Sequence, residues 1–400
     1  MMWQHKPLEE VADFCLGKML DQKKNRGELR PYLANVNVRW GTFDLNDLRE
    51  MRFEASEDDR YGLKYGDIVM CEGGELGRCA IWKDERPGMM VQKALHRIRP
   101  HEGLDHRFLY YTFLSKGRTG ELGGLFTGAT IKHLPREKLA KAPIPIPPLR
   151  TQERIAEHLS NYDDLIENNR KRIALLEEVA RLLYREWFIH LRFPGHEHVT
   201  MVDGVPEGWV RRSLGEVADC RLGKMLDQNK NKGELMPYLA NVNVRWGAID
   251  LDNLREMRFE DNELDTVGLK YGDIVMCEGG EPGRCALWKD QLPGMMLQKA
   301  IHRIRAHPEV SYLFLYYCLR HKGQSGQLAP LFTGATIKHL PREKVVIVQV
   351  DIPPVPLMTL FAEQVDSLEK QITVLEGANR RASQARDLLL PRLMSGEIAL

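Results

Sequence analysis

The sequence predicts a protein of the α/β (α+β) class in which two copies of one globular domain are separated by two long antiparallel coiled-coil helices, with pseudo-twofold symmetry. Two observations support this prediction. The stretch LFTGATIKHLPREK begins at Leu125 and again, unchanged, at Leu331, an offset of 206 residues that aligns the two copies without a gap. After each globular segment, apolar residues recur alternately four and three positions apart, which is the pattern of a coiled-coil helix. A repeat unit of this length indicates a duplication and not a solenoid.

The alignment of the two copies gives the expected domain boundaries. The first globular domain is expected over residues 1–148, and the first long helix over residues 149–193. A linker over residues 194–208 leads into the second globular domain at 209–354, which is followed by the second long helix at 355–400. Each helix is long enough to act as a spacer, since an α-helix rises about 1.5 Å per residue.

Alternation of apolar and polar residues, turn signals and aromatic spacing predict the elements of each globular domain. In the first copy these are a period-2 strand in PYLANVNVRWG from Pro31, a buried strand at Ile68 to Cys71, a strand from Met89 to Arg99, a helix from His106 to Leu114, a glycine-rich loop GELGGLFTGAT, a short helical turn and an extended IPIPP. The glycines and many basic residues fall in the predicted loops, where they are available for binding.

Bulk composition is that of a globular protein, with 43% apolar and 28% charged residues. The opening segment MMWQHKPLEE has neither the basic nor the apolar region of a secretory signal, and the sequence predicts a cytoplasmic protein outside any membrane. The seven cysteines form no CxxC pair with metal spacing, so we expect them to be reduced and mostly buried, and we predict no metal site.

The seam of the long helices contains an asparagine in each copy, Asn169 and Asn379. If the helices are antiparallel, one register brings these two side chains opposite each other, where their amides can satisfy one another. A buried asparagine at such a position fixes register and partner at a cost in stability. The two helices are therefore predicted to pair with each other.

The same register predicts two apolar contacts between the helices, Ile155 with Leu393 and Trp187 with Phe361. The helices also carry more apolar residues than a two-helix seam needs, and a partner's helices are expected to cover the surplus. The predicted partner-binding residues are Leu182, Phe188, Ile189, Leu388 and Met394.

Charge is balanced overall, at +1, but it is unevenly distributed along the chain. Basic residues concentrate in residues 16–30 and 116–141, while residues 44–59 are acidic. The pattern repeats in the second copy. Such segregation is typical of solvated surfaces and also of phosphate-binding surfaces, so charge alone leaves both interpretations open.

Four segments together resemble the specificity subunit of Type I restriction-modification systems, and in that family's order they span nearly the whole chain. They are GDIVMCEGGELGRCAIW (Gly66 to Trp82), TGATIKHLPREKLAKAPIPIPPLRTQERI (Thr127 to Ile155), VPEGW (Val205 to Trp209) and LLPRLMSGEI (Leu389 to Ile398). The chain departs from the family pattern in one respect: its two recognition domains are near copies, where family members commonly carry two different ones.

The resemblance implies that each globular domain is a target-recognition domain that places loops in the major groove of double-stranded DNA. It also implies that the paired helices are a spacer and a docking surface for two methyltransferase subunits, with restriction or translocase subunits as a further partner. The chain itself would then be non-catalytic, with no cofactor of its own. S-adenosylmethionine, ATP and Mg²⁺ would belong to the partner subunits.

Basic, aromatic and hydroxyl residues on glycine-rich loops are the groups that phosphate and base-edge contacts require. The residues expected to face DNA in the first copy are Lys18, Gln22, Lys23, Arg39, Trp40, Thr127, Thr130, Lys132 and His133. Those in the second copy are Lys224, Gln228, Lys230, Arg245, Trp246, Thr333, Thr336, Lys338 and His339. Because two identical readers related by a twofold axis require identical half-sites, the expected target is an interrupted palindrome.

Two alternative functions remain open from the sequence. One is a metal-dependent nuclease in which Asp67, Glu72 and Glu75 gather a metal ion, with Lys83 nearby. The other is a coiled-coil scaffold whose globular domains bind protein instead of DNA. Against both, the chain has no Walker-type loop and no aromatic signature of amino-methyltransferases, and its globular domains have diverged less than its helices.

Overall fold

The computed structural model describes residues 3–21, 23–75, 77–128, 132–202, 204–227, 229–252 and 254–400. Three residues expected to face DNA, Gln22, Thr130 and Gln228, lie outside the described residues. The chain divides into two compact units. The first comprises residues 1–168 and 378–400, and the second comprises residues 169–377.

Both long helices are continuous, from Leu149 to Tyr184 and from Val355 to Met394. The first continues as a π-helical turn at Arg185–Ile189. The division between the units cuts both helices, because each globular domain packs on the beginning of its own helix and the end of the other. The units therefore differ from the domains expected at residues 1–148 and 209–354, because the expected bounds include the globular segments but no part of either long helix.

The first unit contains a central sheet with the strand order Ala12–Leu16, Leu95–Pro100, Ile68–Cys71 and Cys79–Ile81, antiparallel throughout. Smaller sheets join Arg49–Phe53, Glu28–Leu33 and Met90–Val91, Val38–Arg39 with Thr42–Phe43, and Gln4–Pro7 with Pro143–Ile146. Its shorter helices are the α-helices Leu8–Val11, Asp58–Tyr61, His106–Arg118 and Arg136–Ala140 and the 3-10 helices Asn35–Asn37, Ala55–Glu57 and Glu121–Leu125.

The second unit repeats this plan. Its central sheet has the order Ala218–Leu222, Ile301–Ala306, Ile274–Cys277 and Cys285–Leu287, and smaller sheets join Arg255–Phe259, Glu234–Leu239 and Met296–Leu297, Val210–Ser213 with Gln349–Ile352, and Met201–Val202 with Val205–Pro206. Its shorter helices are Leu214–Val217, Asp261–Val267, Tyr312–Gln324 and Arg342–Val345, with 3-10 helices at His196–His198, Asn241–Asn243 and Ala329–Leu331.

The strand at Ile68–Cys71 explains how each globular domain builds its core. Because side chains alternate across a strand, Ile68 and Met70 face the cluster that includes the helix His106–Arg118, while Val69 and Cys71 face a second cluster. Both faces of the sheet are covered. The strand has the predicted bounds and its side chains are buried, so the prediction of a buried strand here is confirmed.

The prediction of one strand through PYLANVNVRWG is wrong in its middle, where Asn35–Asn37 is a 3-10 helix. The side chain of Asn37 accepts a hydrogen bond from the Ala34 amide at 2.9 Å and donates to the Asp44 carbonyl at 3.0 Å. Asparagine amides compete with strand pairing in this way. The predicted strand from Met89 to Arg99 is likewise interrupted, because Gln92–Ala94 turns between Met90–Val91 and Leu95–Pro100.

Within each unit, the packing of the helices follows the antiparallel register that the seam predicts. In the first unit, Ile155 and Leu393 lie in the same buried cluster, and Asp163, further along its helix, pairs with Arg386, which precedes Leu393. In the second unit, the rings of Trp187 and Phe361 lie 6.0 Å apart. Both expected apolar contacts are thus consistent with the structure.

The asparagine pair falls on either side of the division between the units. Asn169 belongs to the second unit, where it is buried, and Asn379 belongs to the first. Their mutual hydrogen bonding stays a prediction.

Two of the five residues expected to bind a partner are not exposed. Phe188 packs among Tyr184, Phe314 and Phe361 in the core of the second unit. Met394 is buried in the core of the first. The correction has a simple cause: both lie at a helix end, where the globular domain covers the face that the heptad pattern leaves open. Leu182, Ile189 and Leu388 are exposed, as expected.

No helix among the described residues is long and apolar enough to cross a membrane. The cysteines are free thiols, and all except the partly exposed Cys15 are buried.

Candidate nucleic-acid interface

Five loops of the first copy are joined at one edge of its globular domain, four of them by backbone hydrogen bonds and the fifth by a side chain. We call the described residues within 17–26, 35–41, 72–78, 92–94 and 126–134 the loop cluster. The Lys93 amide donates to the Lys18 carbonyl at 2.9 Å, and the Glu72 amide donates to the Ala94 carbonyl at 2.9 Å. The Leu134 amide donates to the Glu72 carbonyl at 2.7 Å. These bonds fix the loops relative to each other.

The last of these loops contains most of the repeated LFTGATIKHLPREK stretch. Thr127 and His133 close it by exchanging two backbone hydrogen bonds of 2.8 Å each. Lys132 and His133 are exposed, as is Thr127. A bridge between Gly73 and His133 joins this loop to the loop at 72–78, and a Cβ at Gly73 would lie 3.4 Å from the His133 ring. Glycine thus permits the close approach of the two loops.

Asn35 connects a third loop to the same point. Its side-chain amide donates to the Gly73 carbonyl at 2.9 Å, and its side-chain oxygen accepts from Arg78 at 2.5 Å. These two residues hold the loops at 35–41 and 72–78 together, and sequence reasoning selected neither of them. Their equivalents in the second copy, Asn241 and Arg284, make related bonds.

Trp40 is a further link between two loops. Its indole Nε1 donates to the Glu75 carboxylate at 2.6 Å, and the equivalent Trp246 donates to Glu281 at the same distance. The ring is partly exposed in both copies. The indole is therefore available for contact along one side while its polar atom is used within the protein.

The expectation that Lys18 and Lys224 face DNA is corrected by their surroundings. Lys18 is 9% exposed, and its ammonium group lies 2.5 Å from the Glu57 carboxylate and 3.0 Å from the Arg52 carbonyl. Burial raises the pKa of Glu57, but the hydrogen bonds from Lys18 and the Glu54 amide together with the charges of Lys18 and Arg60 hold the pKa below its ordinary value. Lys224 pairs with Glu263 in the same way. Each lysine thus anchors its own loop to the globular domain through an ion pair.

The remaining basic candidates among the described residues are exposed. Lys23 and Arg39 in the first copy, and Lys230 and Arg245 in the second, lie on the surface, and each arginine is 3.9 Å from an aspartate. Thr333, Thr336, Lys338 and His339 of the second copy are exposed too. The copies differ at one of these positions: Asn229 is the equivalent of Lys23, and Lys230 is the equivalent of Lys24.

An exposed lysine between two loops of the cluster was missed by sequence reasoning. Lys93 lies between the loops at 17–26 and 72–78, and Lys299 is its equivalent in the second copy. The sequence carries a weak signal, because the polar pair Gln92-Lys93 interrupts an otherwise apolar strand. We add both lysines to the candidate interface.

A buried histidine supports the loop that ends at His133. The Nε2 atom of His96 lies 2.9 Å from the carbonyl oxygen of Leu134, and the equivalent distance from His302 to Leu340 is 2.7 Å. Burial lowers the pKa of each imidazole to about 4. A neutral imidazole that donates from Nε2 is the form that fits a carbonyl partner.

Two of the three carboxylates of the alternative metal centre are used in other contacts. Asp67 is buried and accepts two hydrogen bonds of 2.7 Å from Arg99, and Glu75 accepts from Trp40. Lys83 lies 3.6 Å from Glu167 of the long helix. In the described part of the chain, no group of three or more His, Cys, Asp or Glu side chains could hold a metal ion. The structure gives the nuclease hypothesis no support.

Comparison with known proteins finds one family and several relatives to which the chain is similar. Residues 2–178 match the family described as Type I restriction modification DNA specificity domain. The chain is 26% identical over 351 residues to the Type I restriction enzyme MjaIX specificity subunit of Methanocaldococcus jannaschii, an alignment covering 83% of this chain and 78% of the relative. It is 22% identical to the MjaVIII specificity subunit of the same organism, covering 92% and 86%.

A solved structure has the same fold. It is the crystal structure of a Type I restriction-modification S subunit from M. genitalium, which matches with a TM-score of 0.55 at 16% sequence identity, covering 98% of this chain and 96% of that one. At this identity the likeness concerns the fold alone.

Proposed function

We propose that the chain is a Type I restriction-modification specificity subunit that reads an interrupted palindromic DNA sequence through its two loop clusters, because residues 2–178 match the DNA specificity domain of that family and its curated relatives are specificity subunits. The chain is the non-catalytic subunit that recognises the DNA sequence, and its partners perform the chemistry. The observation that carries the palindrome is the doubling of the loop cluster: nearly the same residues, held by corresponding backbone hydrogen bonds, recur in both units.

The proposed contacts follow from the chemistry of the exposed groups. Lysine and arginine side chains contact phosphates or the guanine edge, and hydroxyl and imidazole groups contact either base edges or the backbone. We assign Lys132, Lys93 and Arg39 to phosphate or guanine contacts, and Thr127 and His133 to the groove. Lys338, Lys299, Arg245, Thr333 and His339 take the same roles in the second copy.

The long helices supply the spacing. Since each reading domain packs on its own helix at one end and on the other helix at its far end, the helix length sets how many unread base pairs separate the half-sites. Identical readers in a twofold relation then require a half-site, a gap and the inverted complement of the half-site.

Exposed apolar side chains on the helices are the proposed docking surface for two methyltransferase subunits. Leu388 is 73% exposed, and its counterpart Leu182 is exposed as well. Ile189 extends this surface beyond the end of the first helix. Apolar side chains of this size on a helix face are typical of helix-in-groove contacts. Restriction or translocase subunits would join this core, and S-adenosylmethionine, ATP and Mg²⁺ would be bound by those partners.

Mapping methylated adenines in the source genome is the direct test. The expected motif is an interrupted palindrome that disappears when the gene for this chain is deleted. Two unrelated half-sites would contradict the palindrome while leaving DNA recognition intact. A salt-dependent gel shift with the mapped duplex then separates a DNA reader from a protein scaffold, since a scaffold would give no shift.

A further inference from the structure

The two units have corresponding hydrogen bonds at the surface where the globular domain meets the long helices. Tyr111 donates its hydroxyl to Asp163 at 2.6 Å in the first unit, and Tyr317 donates to Glu369 at 2.5 Å in the second. These tyrosines and acids occupy equivalent positions of the repeat. At this surface, positions that correspond in sequence therefore also correspond in space. The charged residues around the two tyrosines can be compared position by position.

In the first unit, the end of the second helix supplies a cation and an anion to this surface. Arg386 forms an ion pair with Asp163, and its side chain is 13% exposed. The next residue, Asp387, pairs with Arg118 of the globular domain. Both pairs join residues of the first copy to residues of the second.

In the second unit, the charges are arranged differently. The end of the first helix supplies an anion, Glu177, which lies 2.7 Å from Arg320 of the globular domain. The Arg320 side chain is 5% exposed. Glu369, the equivalent of Asp163, pairs with Lys289 of its own copy at 2.7 Å and needs no cation from the other helix.

The equivalent positions are not interchangeable. Ala180 is the counterpart of Arg386, and Arg181 is the counterpart of Asp387. Ser383 is the counterpart of Glu177, while Leu114 corresponds to Arg320. Each helix end therefore carries charges that pair with residues of the other copy. The first helix end lacks the charges that pair with Asp163 and Arg118, and the second lacks the carboxylate that pairs with Arg320.

We propose that these ion pairs make the association of the two copies heterotypic, so that each copy selects the other copy, and not a second copy of itself, as its partner. The surface is the one just described, and the partner that it fits is the complementary repeat. The proposal is independent of what the loop clusters bind.

Pairing of two first copies would be unfavourable at three places. Asp163 would face Ala180 and lose its cation, Arg118 would face Arg181, and Glu177 would face the apolar Leu114. Removing one partner from a largely buried ion pair is strongly destabilising, because the other charge stays desolvated. The like-charged arginines add repulsion.

Pairing of two second copies would be unfavourable at one deeply buried place. Arg320 would face Ser383, leaving a nearly inaccessible guanidinium without its carboxylate. Glu369 would remain satisfied by Lys289. We therefore expect homotypic pairing to be disfavoured in both combinations and more strongly between first copies.

The test starts from the intact, folded chain. A protease site inserted after Gly195, in the exposed linker, allows the chain to be cut into its two copies after folding. Cut protein with a mass-tagged first copy is mixed with untagged cut protein, and native mass spectrometry follows the species with time. Particles should contain one first and one second copy only. Random re-pairing, with tagged and untagged first copies in one particle, would overturn the proposal.

A matched pair of variants sharpens the result. Arg386→Ala with Asp387→Arg gives the second helix the charges of the first, and it should speed the exchange of copies by roughly a hundredfold, as expected for lost buried partners. Gln384→Arg is an exposed change on the same helix with the same net charge difference, and it should leave exchange unchanged. Equal effects of the two variants would refute the proposal.

A gain of pairing is the stricter outcome. Ala180→Arg with Arg181→Asp gives the first copy the helix end that its own globular domain fits, and particles with two first copies should then appear. If cutting causes the copies to aggregate, a double-mutant cycle of Asp163→Ala and Arg386→Ala in the uncut chain decides instead. Additive effects on unfolding would mean that the pair selects nothing.

Discussion

The imidazole of His96 lies 2.9 Å from the carbonyl of Leu134, which immediately follows the exposed pair Lys132 and His133. His302 and Leu340 repeat this relationship at 2.7 Å. A buried neutral histidine thus holds the base of each reading loop. Because such a group resists protonation, it links the order of the interface to pH.

We expect stability to fall as pH decreases from about 6.5 toward about 4. The pKa of His96 is about 4 in the folded chain and near 6.5 when unfolded, so the unfolded state binds more protons in this window. The stabilisation is complete above the unfolded pKa and is lost as pH falls, by about 3 kcal/mol for one histidine. Urea unfolding at a series of pH values measures it. His96→Gln should flatten the dependence, whereas His133→Gln, a change at an exposed site, should not.

Lys132→Ala and Lys338→Ala should weaken binding to the mapped duplex to about the same extent. If each lysine contacts one phosphate, each change reduces the slope of log affinity against log salt by roughly one. Fluorescence anisotropy over a salt series measures the slope. Lys64→Ala, an exposed lysine outside the loop cluster, is the control. A loss confined to one copy would contradict equal use of both.

Trp40→Phe should weaken DNA binding although it preserves an aromatic ring. The substitution removes the hydrogen bond to Glu75 that joins two loops, at a cost of about 1 kcal/mol, or roughly fivefold in affinity. Glu75→Gln, which keeps an acceptor, should bind nearly as well as the parent chain. Equal losses from both substitutions would mean that the carboxylate charge, and not the link between the loops, is what matters.

The purified chain should neither methylate nor cleave DNA. Activity should appear only when a methyltransferase partner supplies S-adenosylmethionine, and it should then be confined to the recognised sites. Transfer of labelled methyl groups to duplex DNA, with and without the partner, is the measurement. Methylation by the isolated chain would contradict the assignment of chemistry to the partners.

Leu182→Asp and Leu388→Asp should each reduce the number of methyltransferase subunits bound, while binding of DNA by the chain alone is unchanged. A charge on an exposed apolar contact opposes burial, and the two residues occupy equivalent positions. Size-exclusion chromatography with light scattering counts the subunits. Full assembly by the double variant would show that the docking surface lies elsewhere.

The duplication and the helix register could be predicted from the sequence because both depend on spacing. The offset of 206 residues between the copies does not depend on where individual helices and strands are assigned. The heptad spacing also predicts which residues of two antiparallel helices are neighbours, as Trp187 and Phe361 illustrate. Neither prediction required knowledge of which sequence-distant residues contact each other. The short buried strand at Ile68–Cys71 was equally clear, since an apolar run between turn signals has few alternatives.

The site was less predictable because local patterns do not reveal three-dimensional neighbours. The sequence around Lys18 is typical of an exposed basic residue. In the structure, its ammonium group lies 2.5 Å from the carboxylate of Glu57, which is distant in the sequence. Asn37 alternates correctly for a strand but uses its amide to close a turn. Phe188 and Met394 were misjudged for the related reason that a heptad pattern describes two helices and omits the domain packed on their ends.

The antiparallel pairing of Gln4–Pro7 with Pro143–Ile146 brings the start and the finish of the first globular segment side by side, and Val210–Ser213 with Gln349–Ile352 does so for the second. Each segment therefore begins and ends at neighbouring points of the fold, beside the start of a long helix. A gene exchange with crossovers in those paired strands would replace a whole globular segment and keep both long helices. The new segment would then have to satisfy the charges of the helix end on which it packs, Asp387 for the first segment and Glu177 for the second.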